Sequence, residues 1–320
     1  MTMPIASSDA GLLGADLKAA YQALIEERGF LPSVMAARIL GVKEATLIHV
    51  LIGEDISQLS PDFAGLLNGA RDLGKIMALV NNKHMVAMPI GEFSELDIVD
   101  NRGHARGGMI DLSFDLSRWG SVFSIVQEAH GAVRRNISFF DDCGDAVLQI
   151  IVWSKGGDAA YDTLVEQYRT EPPDALDLNP SEDAGWRTVE DGNLSHRVDE
   201  DVPSRTEAFL RQVVEREILI DVHIPTRACA QHYAGPLRAV ERREDLPGYW
   251  VDLKYPHFNS HFELGGLASY AVGGNEGPQS KSLTLIDESN SIVCTFALAK
   301  EAQPAVRDNW IKTLDEQLHV

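Results

Sequence analysis

The sequence predicts an α+β fold in which one domain, a large antiparallel β-sheet flanked by helices, occurs twice in tandem. Three observations carry this. Ser138–Phe140 and Ala146–Trp153 are β-branched and aromatic runs around an Asp141-Asp142-Cys143-Gly144-Asp145 turn, the pattern of a hairpin. The phrase returns at Ser282–Phe296, with Asp287 in the place of Asp141. Upstream, Met85–Gly91 is echoed by Cys229–Gly235, and Ile110-Asp111-Leu112 by Val251-Asp252-Leu253, so that the anchors Gly91/Gly235, Asp111/Asp252 and Asp141/Asp287 stand 144, 141 and 146 residues apart. Near-constant offsets imply two copies of one β-rich unit.

The elements follow in order. Leu17, Tyr21, Leu24 and Ile25 make a helical stripe that Gly29 stops. Pro32 opens two short helices joined at Gly41, a cadence like a helix-turn-helix that an acidic chain turns toward packing on the sheet. A helix spans Pro61–Leu73. Strands are expected over Leu79–Phe93, Met109–Leu116, Val122–Gln127, Arg135–Phe140 and Ala146–Trp153, antiparallel because the connections are too short for crossover helices. Asp158–Tyr168 closes the first repeat as a helix. From 170 to 204 the composition turns to Pro, Asp, Glu, Gly and Asn, which reads as a linker between a first repeat over 1–169 and a second over 205–320. Thr206–Glu217 is a helix, and Val306, Trp310, Leu314 and Leu318 mark a C-terminal helix that packs back on the second sheet.

Lys and Arg total 28 against 48 Asp and Glu, a formal charge of −20, so neither nucleic acid nor an anionic membrane is expected as the main partner. Cys143, Cys229 and Cys294 stand singly, without zinc or disulfide spacing, which fits a reducing cytoplasm. No segment approaches 18 continuous apolar residues, and Met1–Gly14 lacks the features of an export signal, so a cytoplasmic chain is expected. No Ser-His-Asp order, phosphate loop or dinucleotide fingerprint is present in the sequence.

The chain resembles the haemin-degrading factor family, the HemS/ChuX-type haem-utilisation proteins, over nearly its whole length. The phrases that carry the resemblance are Leu73–Leu79, Ile110-Asp111-Leu112 with Trp119, and Phe139-Phe140-Asp141 with Gly144 in the first copy. In the second they are Arg227, Cys229, Gln231 and Gly235-Pro236, then Trp250, Phe258-Asn259 and His261, then Asp287 and Trp310. The resemblance implies a cytoplasmic protein that takes haem, or a related tetrapyrrole, between its halves to store it, pass it on or open it. It leaves a homodimer open and implies no nucleic-acid partner and no membrane insertion.

Haem requires an axial ligand, cations for two propionates and apolar walls. The family's ligand lies in an Asp-x-His phrase after a Trp; here Trp186 and Asp191 match, the ligand position holds Asn193, and His196 follows three residues on. By resemblance Arg205, Arg227 and Gln231 form an anion pocket, with His196 as the displaced iron ligand. Tyr233, beside His232 in a strand, is a further candidate ligand, and only one of the two can line a cleft. Arg102, with His104 and Arg106, forms a basic patch expected in a loop over 100–108. His257 and His261 could suggest metal binding by spacing alone, but His261 matches a family core position and reads as structural. Several family cations are replaced, among them by Leu148-Gln149, Gly273-Gly274 and Ala299, so haem degradation stays open as an expectation and is less expected than binding. The competing expectation is a non-catalytic scaffold or binding protein that has lost haem ligation.

Overall fold

The computed structural model describes residues 13–29, 31–129, 131–179, 195–198, 201–273, 281–300 and 302–318. The chain opens with three helices, α1 (Gly14–Arg28), α2 (Ser33–Leu40) and α3 (Glu44–Val50). The first repeat begins with β1 (Ile56–Gln58) and α4 (Phe63–Gly69), which runs into a 3₁₀ turn, Ala70–Leu73. Then come β2 (Ile76–Asn81), β3 (Met85–Ala87), β4 (Ile90–Gly91), β5 (Glu95–Val99), β6 (Arg102–Gly107) and β7 (Ile110–Asp115). The long strands β8 (Trp119–Ala129), β9 (Ala132–Asp141) and β10 (Ala146–Val152) lead to α5 (Asp158–Tyr168). The second repeat begins with β11 (Ser195–Val198) and α6 (Val202–Glu215), then β12 (Leu219–Pro225) and β13 (Cys229–Pro236). It continues through β14 (Ala239–Arg243), β15 (Trp250–Lys254), β16 (Asn259–Glu263) and β17 (Leu267–Gly273) to β18 (Ser282–Asp287), β19 (Ile292–Leu298) and α7 (Pro304–Leu318).

Two antiparallel sheets result, in the orders β1-β8-β9-β10-β2-β3-β16-β15-β14 and β11-β17-β18-β19-β12-β13-β7-β6-β5. Strand for strand these are the same sheet, but the last three strands of each come from the other repeat. The joins are β3 to β16, with Ser260 opposite Ala87, and β13 to β7, with Ala230 opposite Ser113. Each exchanged meander nevertheless packs into the apolar core of its own repeat. Ala105, Leu112 and Phe114 lie with the helices and strands of the first, and Val251, Leu253 and Phe262 with Phe209, Phe296 and Trp310 of the second. Hydrogen bonding and hydrophobic packing thus bind the two repeats in opposite senses.

The duplication is visible atom by atom at the two hairpins. Asp141 Oδ1 accepts the N–H groups of Cys143 and Asp145, and Asp287 Oδ1 those of Ser289 and Ser291. Gly144 and Asn290 take the same left-handed turn position, φ 87° and 62°, and their N–H groups bond the carbonyls of Asp141 and Asp287. The topology corrects the register of one sequence anchor. The strand before the 3₁₀ turn and long strand is β7 in the first repeat and β16 in the second, so Asp252, on β15, is the counterpart of β6 and not of Asp111. Two Ile/Val-Asp-Leu phrases match by composition because both strands alternate over a core.

Other expectations shift for local reasons. Leu79–Phe93 is not one strand but three short ones, broken by the left-handed Lys83 and by Pro89. The expected loop over 100–108 is mostly strand β6, where buried Gly103 and Ala105 alternate with exposed Arg102, His104 and Arg106. Its turn residues Asp100 and Asn101 have φ 49° and 67°, the two positive values a tight primed hairpin needs. The stretch read as a linker contains β11 and the opening turn of α6.

The helices α1 to α3 cover one face of the first sheet, where Ala45 and Ile48 meet Phe123, Ile125 and Phe140. At this contact Glu44 is buried, and its Oε1 accepts from Ser33 Oγ at 2.6 Å. Burial is the main cause that raises its carboxyl to about 7, with a further push from Asp145. The folded chain therefore holds this proton more tightly than the unfolded one. Its contribution is complete below the ordinary carboxylate value and is lost as pH rises through about 7, up to about 3 kcal/mol. Glu44→Gln should flatten the urea-unfolding stability between pH 5 and 8 and raise it at pH 8; an unchanged slope would rule the assignment out.

Arg227 Nε donates to Asp141 Oδ2 at 2.9 Å across the repeats, and both side chains are buried, 6% and 1% exposed. Removing one partner strands a buried charge. Arg227→Met should cost about 3–5 kcal/mol by urea midpoint, and adding Asp141→Asn should recover much of it; simple additivity of the two losses would contradict the pairing.

Candidate functional site

The cross-repeat contact has a counterpart at the other hairpin. His84, in the β2–β3 turn, lies between Glu263 and Asp287, with Nδ1 3.1 Å from Glu263 Oε2 and Nε2 3.6 Å from Asp287 Oδ2. Arg227, in the β12–β13 turn, reaches Asp141 in the same way. Asn82 Nδ2 ties both turns together through the carbonyls of Pro225, at 2.8 Å, and Val293, at 2.5 Å. Beside this junction lies a cavity of about 220 Å³ lined by Arg38, Lys43, Glu44, Lys83, Asp145 and Arg227. It is smaller than the roughly 300–1,000 Å³ typical of small-molecule pockets. Lys43 is paired with Asp145 at 3.0 Å and Arg227 with Asp141, so much of its charge is matched internally.

A second candidate surface is the face of the second sheet turned away from α6 and α7. Matching the two sheets strand for strand sets Ala271 and Gly273 of β17 where the first repeat has Phe123 and Ile125 of β8, and Thr284 of β18 where it has Ser138. In the first repeat α3 packs on those aromatic and aliphatic side chains. Among the described residues the second repeat has no helix corresponding to α1–α3. Side-chain volume is therefore smaller on the second copy, where Ala271 and Thr284 are nevertheless buried.

Across this face Ala271 stands opposite Thr284, Thr284 opposite Thr295, Thr295 opposite His223, and His223 opposite His232, while the backbone of β11 pairs with β17 at His196 and Ala271. His232 Nε2 is 3.1 Å from Ser113 Oγ on β7, and Ser113 stands opposite His104 on β6. The rings of His223 and His232 are 4.6 Å apart and tilted by 37°. Both side chains are half-buried, and burial holds His232 below the usual imidazole value despite nearby Asp111 and Asp221.

The sequence-predicted residues separate into groups. Asn193 lies outside the described residues. His196 is in β11, at the edge of the second sheet. Arg205 is in the first turns of α6, where Nη1 donates to the Gln317 carbonyl at 3.2 Å and joins α6 to α7. Arg227 meets Asp141. Gln231 is buried and donates to the Met109 carbonyl at 3.1 Å. Tyr233 points to the opposite face from His232: its ring packs on Tyr255 and Phe258, its hydroxyl donates to the Pro236 carbonyl at 2.9 Å, and burial raises its pKa. Arg102 is exposed on β6 with Nε 3.0 Å from Asp115. His261 bonds Asp252 at 2.7 Å, as a structural His would.

His223 is the residue that sequence reasoning passed over. The signal was in the hairpin: a turn centred between Arg227 and Ala228 makes 223 and 232 partners, and both are His.

Comparison with known proteins places this geometry. Residues 41–168 match the haemin-degrading HemS.ChuX domain family. The hemin transport protein HemS of Yersinia enterocolitica is 26% identical over 77% of this chain and 80% of its own length. The hemin transport protein HmuS of Yersinia pestis is 25% identical over 76% and 79%. Among solved structures, the haem-bound form of PhuS, a heme-binding protein from Pseudomonas aeruginosa, superposes with a TM-score of 0.78 at 24% identity, over 92% of this chain and 97% of that one. ChuS, a heme-degrading enzyme of Escherichia coli O157:H7, does so with 0.80 at 19%, over 94% and 98%. The two-repeat fold is thus shared along nearly the full length with these solved structures, and residues 41–168 carry the haemin-degrading HemS.ChuX domain.

Proposed function

We propose that the chain is a cytoplasmic haem-iron utilisation protein that binds haem, or a related tetrapyrrole, on the second repeat for trafficking, storage or degradation. One observation carries this: the face that α3 and aromatic side chains fill in the first repeat is floored by Ala271, Gly273 and Thr284 in the second, with His196 in register at its edge. A flat macrocycle needs such a floor, an imidazole and cations, and the residue types present fit it. His196 is the proposed axial ligand. Arg102, exposed on β6 of the same sheet, supplies a cation, and Arg205, the propionate partner by resemblance, would first have to leave the Gln317 carbonyl of α7 on the other side of the sheet. Support also comes from the hemin transport relatives, whose similarity runs through both repeats. Ring opening is a weaker part of the reading, because the family's ligand position holds Asn193 and redox turnover depends on the ligand. No helix among the described residues is long and apolar enough to cross a membrane.

Titration of the purified chain with haemin should give a saturable Soret shift at one equivalent. Featureless, non-saturating partition would favour a scaffold that has lost ligation. His196→Ala should abolish the axial-ligand signature, and an unaltered Soret band would reject His196. Arg205→Ala should lower affinity about tenfold or more while leaving the iron spectrum in place, as expected for loss of a charge-assisted hydrogen bond.

A further inference from the structure

We propose that His223 and His232 form a chelating pair for a divalent transition-metal ion, a site separate in its chemistry from haem ligation. The argument starts from register. Directly opposite residues on neighbouring antiparallel strands have Cβ atoms about 4.5–5.5 Å apart and project to the same face. His223 of β12 and His232 of β13 are such a pair, and their ring centroids are 4.6 Å apart. Two imidazoles anchored at that separation can direct one nitrogen each to a common ion without moving the backbone. Imidazole suits copper, zinc and nickel, and a sheet holds the donors more rigidly than a loop would.

One neighbour favours the site. Ser113 Oγ lies 3.1 Å from His232 Nε2, and when Nε2 donates to this hydroxyl, Nδ1 keeps its lone pair for the metal. This is the outer-shell hydrogen bond that orients ligating histidines. The chain's net charge of −20 also favours a cation over an anion here.

The duplication supplies an internal control. In the first repeat the β2–β3 register, Val80 opposite Ala87, makes Leu79 and Met88 the counterparts of His223 and His232. The same fold therefore accommodates apolar residues at both positions, and the two histidines are not a requirement of the architecture.

The test is titration of the haem-free, full-length chain with Cu²⁺, followed by electron paramagnetic resonance. One ion per chain should bind with nitrogen superhyperfine structure from two imidazoles. His223→Leu and His232→Met, which copy the first repeat, should each weaken this binding at least tenfold with the thermal melt unchanged, and the double variant should lack the two-nitrogen signal. His232→Gln, which can still bond Ser113, should also lose affinity. His84→Gln should bind as the wild type does. Unchanged affinity in the His223 and His232 variants, or an equal loss in His84→Gln, would overturn the assignment. Haemin binding is read separately at the Soret band, so failure of either result leaves the other standing.

Discussion

Two buried aspartates set the relative position of the sheets. Asp141 and Asp287 each close a hairpin through two N–H groups of their own turn and present the second carboxylate oxygen to a basic residue of the other repeat, Arg227 or His84. A carboxylate buried at 1% exposure is tolerated only where such donors surround it, and burial still raises the pKa of Asp141. Because the partners sit in the β2–β3 and β12–β13 turns, these pairs also fix where the exchanged meanders join. The strand order of both sheets depends on this polar junction, to which Asn82 adds bonds into the second repeat from the first.

With the scaffold held in this way, the copies were free to diverge on their faces. The first is covered by α1–α3, whose burial of Phe123, Ile125 and Phe140 follows from ordinary apolar packing. The second carries Ala271, Gly273, Thr284, Thr295, His223 and His232 over the equivalent surface. Two copies of one sheet therefore differ chiefly in what a single face offers: one contributes stability, the other small and polar groups suited to a ligand. The second copy's surface needs both repeats, since the strands Arg102–Gly107 and Ile110–Asp115 of the first complete it.

The sequence by itself determined the α+β class, the duplication, the helix Asp158–Tyr168 to the residue, and the Asp-led turns, because these depend on local periodicity and on turn chemistry repeated at fixed spacing. It also carried the family through phrases in a shared order. Only the tertiary structure decided that the repeats exchange strands, that Asp252 belongs with β6 rather than β7, and that Arg227 meets Asp141 of the other repeat. Strand pairing over more than 100 residues leaves no periodic trace, since alternation reports which face a residue takes and never which strand lies beside it. The adjacency of His223 and His232 shows the same limit at short range. Each is an unremarkable strand histidine in the sequence, and only the register of β12 against β13 makes them a pair.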